Sequence, residues 1–363
     1  MKQLRKRIIF ALLSLLMVLS FSMPAFASNA QETLTTSQKA LNAINSAATF
    51  RLSTLENPST GNNNEGDWFI FALQRGDVEM ANKEEYTNKY ISNVKSNISS
   101  LQYPSDYARV IITLTSLGVD CSKEFEGVNL LEKMLADKAS FEGTFASNAI
   151  YALIALNCND YDIPSTCDIT QDDLVSALLS YKDEKTNLFY FSTDKTYGTD
   201  LDTTFMANQA LSLCNVSDDN LKTQIQNAKT ACIETIKSSQ SASGAISSYG
   251  MDNACTTAQA IVALTQMGED VNSYQKDGKT LVDGLLSMQD SNTNGFIGYT
   301  GKADIQTTDQ SLYALVAYSR SEQGLNTLFD MNSTDTLSFD PDSFSAKVDK
   351  FFDNIKGFFQ RLF

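Results

Sequence analysis

Two carboxylates stand two residues apart in Asp200-Leu201-Asp202-Thr203-Thr204, just ahead of Phe205-Met206-Ala207-Asn208-Gln209-Ala210-Leu211, a run with the apolar content of a buried helix. Such a pair can divide a proton transfer. One carboxyl with a lifted pKa holds and delivers the proton, and its neighbour polarises it. Asp202 is the candidate general acid and Asp200 its partner. A plainer role fits the same residues. Aspartate at a helix start accepts from free backbone N–H groups and favours the dipole. Asp67, Asp106, Asp252 and Asp304 occupy comparable places. On that reading Asp202 is mainly a cap, and these acids gather at one end of the fold.

Other chemistry is narrowed by composition. The chain has no histidine, which removes His-based triads, His metal sites and His general bases. Cys121, Cys158, Cys167, Cys214, Cys232 and Cys255 have no C-x-x-C spacing, so no zinc ribbon or thioredoxin-type centre is indicated and no metal site is expected. Six cysteines permit three disulfides among 15 connectivities. Cys158 and Cys167, bracketing a loop with Pro164, are the easiest local pair. Buried reduced thiols are the alternative.

The helix that carries Asp202 belongs to a series. Phe69-Ile70-Phe71-Ala72-Leu73, Val110-Ile111-Ile112-Thr113-Leu114, Ala149-Ile150-Tyr151-Ala152-Leu153, Ala260-Ile261-Val262-Ala263-Leu264 and Ser311-Leu312-Tyr313-Ala314-Leu315 are variants of its pattern. The anchor leucines, Leu73, Leu114, Leu153, Leu211, Leu264 and Leu315, recur every 39 to 58 residues. A unit of that length holds two helices, and one pair cannot bury its apolar face alone. Between the anchors, residues 35–55, 84–99, 124–137, 170–182, 219–238 and 272–288 show apolar residues at i, i+3, i+4 spacing with polar opposite faces. Six outer helices therefore alternate with six inner ones. Loops rich in Gly, Asn and aromatics lead into the inner helices, as turns with positive φ followed by an aromatic plug.

The ends differ from this body. Lys2, Arg5, Lys6 and Arg7 precede the apolar run Ile8 to Phe21, and Ala25-Phe26-Ala27 is an A-x-A cleavage site, so residues 1–27 read as a signal peptide of a secreted or cell-surface bacterial protein. Removing those four bases, and no acid, from a formal charge of −15 leaves −19, which repels nucleic acid and anionic membranes. Residues 28–325 hold the helical repeats, and 326–342 read as an acidic linker. Residues 343–363 read as an amphipathic helix, with Phe344, Val348, Phe351, Phe352, Ile355, Phe358, Phe359 and Leu362 within an arc of roughly 120°. Lys347 and Lys356 flank that arc. The toroid's outer surface, a partner protein and a membrane surface are its three destinations.

Alternating outer and inner pairs describe an all-α, α/α toroid. Asp200-Leu201-Asp202-Thr203-Thr204 with Gln209-Ala210-Leu211, Thr256-Thr257-Ala258-Gln259 to Gly268, Gln289 to Gly295-Phe296, and Thr307-Thr308-Asp309-Gln310-Ser311-Leu312 resemble the repeats of the terpene cyclase and protein prenyltransferase superfamily. The likeness is closest to exported bacterial proteins with prenyltransferase and squalene-oxidase repeats, over about residues 35–320. In class II cyclases an Asp-x-Asp-Asp motif protonates an alkene or epoxide. The resemblance puts Asp202 in the donor place, with Thr203 where the last acid stands. It implies an aromatic-lined mouth, with Phe145, Tyr151, Phe205, Asp252 and Tyr313 as ligand contacts, although inner-helix packing accounts for the aromatics equally. The prenyltransferase zinc site cannot be built in its usual form without histidine. The Gly-Cys-Gly-Glu-Gln stretch of complement thioester domains is absent. Cobalamin carriers share the toroid but close a β domain over it, and residues 321–363 are too few and too helical for that. A corrinoid would need a separate partner to complete its site, and no cofactor is otherwise expected. The expectation is an exported, non-catalytic binding or interaction module, with a class II cyclase-like enzyme and a structural envelope protein as alternatives.

Overall fold

The computed structural model describes residues 34–60, 66–80, 82–333 and 335–337. The expected signal peptide and C-terminal amphipathic helix lie outside them. From Thr36 onward the described chain forms one unit. It is mostly helical: α1 (Thr36–Thr54), α2 (Asp67–Arg75), α3 (Lys83–Asn97), α4 (Pro104–Ser116), α5 (Leu130–Leu135), α6 (Ser147–Asn157), α7 (Gln171–Ser180), α8 (Leu201–Leu213), α9 (Asp219–Ser239), α10 (Ala254–Gln266), α11 (Leu281–Leu286) and α12 (Ile305–Glu322). Two antiparallel hairpins of two-residue strands, β1 (Ser247–Ser248) with β2 (Met251–Asp252) and β3 (Gln275–Lys276) with β4 (Lys279–Thr280), sit in the connections.

The even-numbered helices pack in a closed cycle. α2 meets α4, α4 meets α6, and so on through α8, α10 and α12, which returns to α2. All six anchor leucines lie on these helices and are buried. A helix enclosed by neighbours must be apolar on every side. In α10 every residue but Cys255 is buried. The odd-numbered helices flank the cycle: α1 on α12, α5 on α4, α7 on α6, α9 on α8 and α11 on α10. Tyr86 of α3 packs edge-on to Phe69 of α2. These helices bury one stripe only, as α9 does with Leu221, Ile225, Ala228, Cys232 and Ile236.

Two expected outer helices are much shorter than their apolar spacing suggests. Positive φ at Glu126 and Gly127 turns the chain, with Phe125 paired to Val128, and α5 starts only at Leu130. Within 272–288, Asp277 and Gly278 take positive φ at the tip of the β3–β4 hairpin, so α11 starts at Leu281. Asp-Gly is a strong hairpin signal that outranks the helical period there. All six cysteines are free thiols, Cys158 and Cys167 included. Residues 326–331, expected in the linker, pack on the body. Phe329 stacks on Phe71 at 5.5 Å, and Arg75 donates to the carbonyls of Thr327, Leu328 and Asp330 at 2.8 Å each. The segment is held because two buried arginines need carbonyl acceptors: it supplies three to Arg75 and that of Asn326 to Arg320, which also donates to the carbonyls of Arg75 and Asp335.

Candidate functional site

Three successive inner helices start by one device. Asp200, Asn253 and Asp304 are the N-caps, each accepting from a backbone N–H of the first turn. Four residues on, Thr204, Thr257 and Thr308 donate to the carbonyl of that cap at 2.6–2.7 Å. Each of these hydroxyls also accepts, at 2.9 Å, from the backbone N–H of a wholly buried plug: Phe189, Ile246 and Phe296. Two residues before each plug, Asn187, Gly244 and Asn294 take positive φ. Asn supplies the left-handed turn where Gly is missing, which accounts for the Phe189 loop without a glycine.

Asp200 therefore caps α8, not Asp202. Its Oδ1 accepts from Thr203 N and Thr203 Oγ1, both at 2.7 Å. Asp202 is freed from that duty. The residue is partly exposed, but its Oδ1 is shut off from solvent and has no hydrogen-bond partner. Thr256 Oγ1 on α10 is buried and unpartnered as well. The threonine lies close enough to favour the Asp202 carboxylate but outside hydrogen-bonding geometry. Burial dominates and lifts the Asp202 pKa to about 6, with Asp200 adding to the rise and Thr256 opposing it.

The neighbouring helices bring their starts to the same end. Ser105 N donates to Asn148 Oδ1 at 3.4 Å between α4 and α6, and Cys255 donates to Thr307 Oγ1 at 3.4 Å between α10 and α12. Asp106 and Asp304 lie at this end, and Asp252 just before it. Asp67 sits deeper: Thr113, roughly two turns into α4, donates to its carbonyl at 3.2 Å. Wholly buried, Asp67 accepts from Tyr90 (2.7 Å), Thr60 (3.1 Å) and Arg109 (3.4 Å), and Arg109 also meets Asp106 at 2.9 Å. Burial raises the Asp67 pKa, and Arg109 opposes the rise.

An aromatic cluster joins α2, α6 and α12, and the Asp202 charge acts on two of its members. Trp68 packs against Tyr151 at 5.3 Å and Tyr313 at 5.8 Å between centroids. Gln209 donates to Gln259 Oε1 (2.9 Å), and Gln259 donates to the Tyr313 hydroxyl (2.6 Å), linking α8, α10 and α12. Burial pushes Tyr151 up to about 12 and Tyr313 well above its ordinary value, and the Asp202 charge adds to both. It also adds to the raised pKa values of Tyr249 and Tyr299, where burial again leads. Asp202 thus acts on four phenols. Beside it, burial pushes the Cys255 thiol up to about 11, so it is no thiolate nucleophile at neutral pH.

The expected contacts divide. Tyr151 and Tyr313 gather at Asp202. Phe205 is fully buried and belongs to the core, because its face of α8 points into the packed ring. Phe145 is 48% exposed and stacks with Phe191 at 6.4 Å on the rim. Asp252 is exposed, accepts from Ser243 Oγ at 2.6 Å, and lines a groove of about 400 Å³ with Met251, Asn253, Met288, Ile297 and Tyr299. Sequence reasoning did not single out Trp68, Thr256, Tyr249 or Tyr299. Trp68 is the one tryptophan of the chain and opens an inner helix, which was a usable signal. Tyr249 and Tyr299 stand in the loops that lead into α10 and α12 and are 77% and 62% exposed, while Ile246 and Phe296 fill the plug places.

No protein-family model matches the chain, and no curated protein matches it. Among solved structures, the chain is similar to a crystal structure of haptocorrin in complex with Cbi, at 17% identity and a TM-score of 0.48, over 85% of this chain and 70% of that one. A likeness of that size bears on neither ligand nor activity.

Proposed function

We propose that this chain is an exported α/α toroid of six outer/inner helix pairs, of the terpene cyclase and prenyltransferase kind, that binds a small molecule at the mouth formed by its inner-helix N-termini. The observation that carries the reading is the pair of buried, unpartnered atoms Asp202 Oδ1 and Thr256 Oγ1, on the ring that also holds the Trp68, Tyr151 and Tyr313 cluster. Leaving such groups without partners costs about 1–3 kcal/mol each. A ligand with donor groups would supply the partner that Asp202 Oδ1 lacks. Asn208 Oδ1, Gln310 Oε1 and Ser311 Oγ, also on the ring helices, are unpartnered too. A corrinoid has a broad apolar body edged with amide donors and is one candidate of this shape; it would need a separate partner to close the site. Residues 344–363 are the segment to pack on the toroid's own outer surface or to meet a partner protein or a membrane surface.

Native mass spectrometry of the protein purified from its host tests the reading. A retained small molecule lost in Asp202→Asn supports it. A mouth that retains nothing, and whose Trp68 emission responds to no compound in a metabolite and corrinoid panel, points instead to a structural module of the cell envelope.

One observation favours a second reading. A carboxyl lifted to about 6 beside aromatic rings is suited to hold and deliver a proton, as a class II cyclase-like general acid does. Turnover of a squalene-like substrate by the parent protein, lost in Asp202→Asn, would decide for the enzyme.

A further inference from the structure

We infer that the ligand of the Asp202 site is an organic monocation, a quaternary or protonated amine. The inference rests on the reading of the mouth as a binding site and names its ligand class. Buried aspartates of the inner ring have cationic partners: Asp67 and Asp106 share Arg109, and Asp309 pairs with Arg51 through two hydrogen bonds. Asp202 is the exception. Among the described residues no lysine or arginine bonds to it, and the charge that acts on it is that of Asp200, a second acid. A buried carboxylate without a counter-charge is costly, and a like charge beside it makes the place more electronegative still.

The walls fit the same class. Tyr151, Tyr313, Tyr249 and Tyr299 all feel the Asp202 charge, and Trp68 backs the first two. Aromatic faces attract cations, most of all soft ones that shed water easily. Asp202 Oδ1 is shut off from solvent and has no hydrogen-bond partner. A hydrated metal ion suits the place poorly, since no group of three or more His, Cys, Asp or Glu side chains capable of holding one occurs among the described residues. An anion is repelled by Asp200 and Asp202 together.

Trp68, the single tryptophan, reports on the site directly. Its emission is titrated in the whole mature protein with choline, tetramethylammonium and benzyltrimethylammonium. 3,3-Dimethylbutan-1-ol, the neutral shape-match of choline, serves as control. The expected result is a saturable change with at least one cation, and binding of choline at least about tenfold tighter than its neutral match. Asp202→Asn, checked for an unchanged fold by circular dichroism, removes that preference, and Asp252→Asn on the rim leaves it intact. The comparison of charged and neutral probes needs only the parent protein, so it stands whether or not the variant folds. The inference is overturned by equal binding of the two probes, by an Asp202→Asn protein that keeps the cation preference, or by no saturation with any of the three cations. A neutral compound that saturates the Trp68 signal in an Asp202-dependent way removes the cation and leaves the binding mouth. A host ligand retained without any effect on Trp68 removes both.

Discussion

Asp200 and Asp202 share a residue type and a helix start, yet they do opposite things. Asp200 holds the first turn of α8, so Asp200→Ala should cost about 1 kcal/mol while Asp200→Asn changes little, measured by thermal unfolding. Asp202 should do the reverse. Its folded-state pKa, about 6, lies above the ordinary carboxylate value near 4, so the folded state binds this proton more tightly than the unfolded one. The stability it contributes is fully present below about pH 4 and is lost as pH rises through 6. Asp202→Asn removes that dependence. The variant should melt with the parent at pH 4 and be more stable at pH 8 by roughly 1–2 kcal/mol, a figure discounted for the partial exposure of the residue. A lower melting temperature of the variant at pH 8 would show that the carboxylate has a stabilising partner.

At the scale of the element, the repeated staple makes the mouth rigid. The Thr308 hydroxyl bonds Asp304 O and Phe296 N at once. Thr308→Val keeps the shape, leaves the Phe296 N–H without a partner and should cost about 1–3 kcal/mol by denaturant unfolding. The short α11 depends on close approach. A Cβ on Gly284 would come within 2.1 Å of Ala245 N, and one on Gly244 within 2.2 Å of Thr280 O. Gly284→Ala must push α11 off the loop before α10, with an expected loss of about 1–3 kcal/mol. Because that loop leads to Asn253 and Thr256, the same variant should also weaken ligand binding at the mouth, which the Trp68 titration reads.

At the scale of the molecule, closure of the ring brings the chain's first described helix against its last. Arg51 of α1 meets Asp309 of α12 by Nε to Oδ1 at 2.5 Å and Nη2 to Oδ2 at 3.2 Å, with both side chains buried. Burial still lifts Asp309 to about 6, against the pull of Arg51. Removing one partner strands the other charge, so Arg51→Met should cost about 3–5 kcal/mol, whereas Arg51→Met with Asp309→Leu should recover much of it. Equal losses in the single and double variants, measured by denaturant unfolding, would mean that the pair has no specific role in closure.

What the sequence by itself determined is the set of local rules. The anchor leucines Leu73 to Leu315 mark the inner helices because a helix enclosed on all sides shows its apolar character in every window. The Asx-x-x-Thr-Thr starts at Asp200, Asn253 and Asp304 mark where those helices begin, since capping is a contact over three residues. The lengths of α5 and α11 were legible only in part, because the turns at Glu126-Gly127 and Asp277-Gly278 override apolar periods that look continuous. Of the site, Asp202, Tyr151 and Tyr313 were expected from the sequence and its resemblance, whereas Trp68 and Thr256 were joined to them only by tertiary structure. Trp68, Tyr151, Asp202, Thr256 and Tyr313 come from five helices spread over some 245 residues, and nothing local to any of them records the others. The same holds for charge. Asp67, Asp106, Asp202 and Asp309 look alike in the sequence, and only the packing of the ring supplies three of them with an arginine and leaves Asp202 without one.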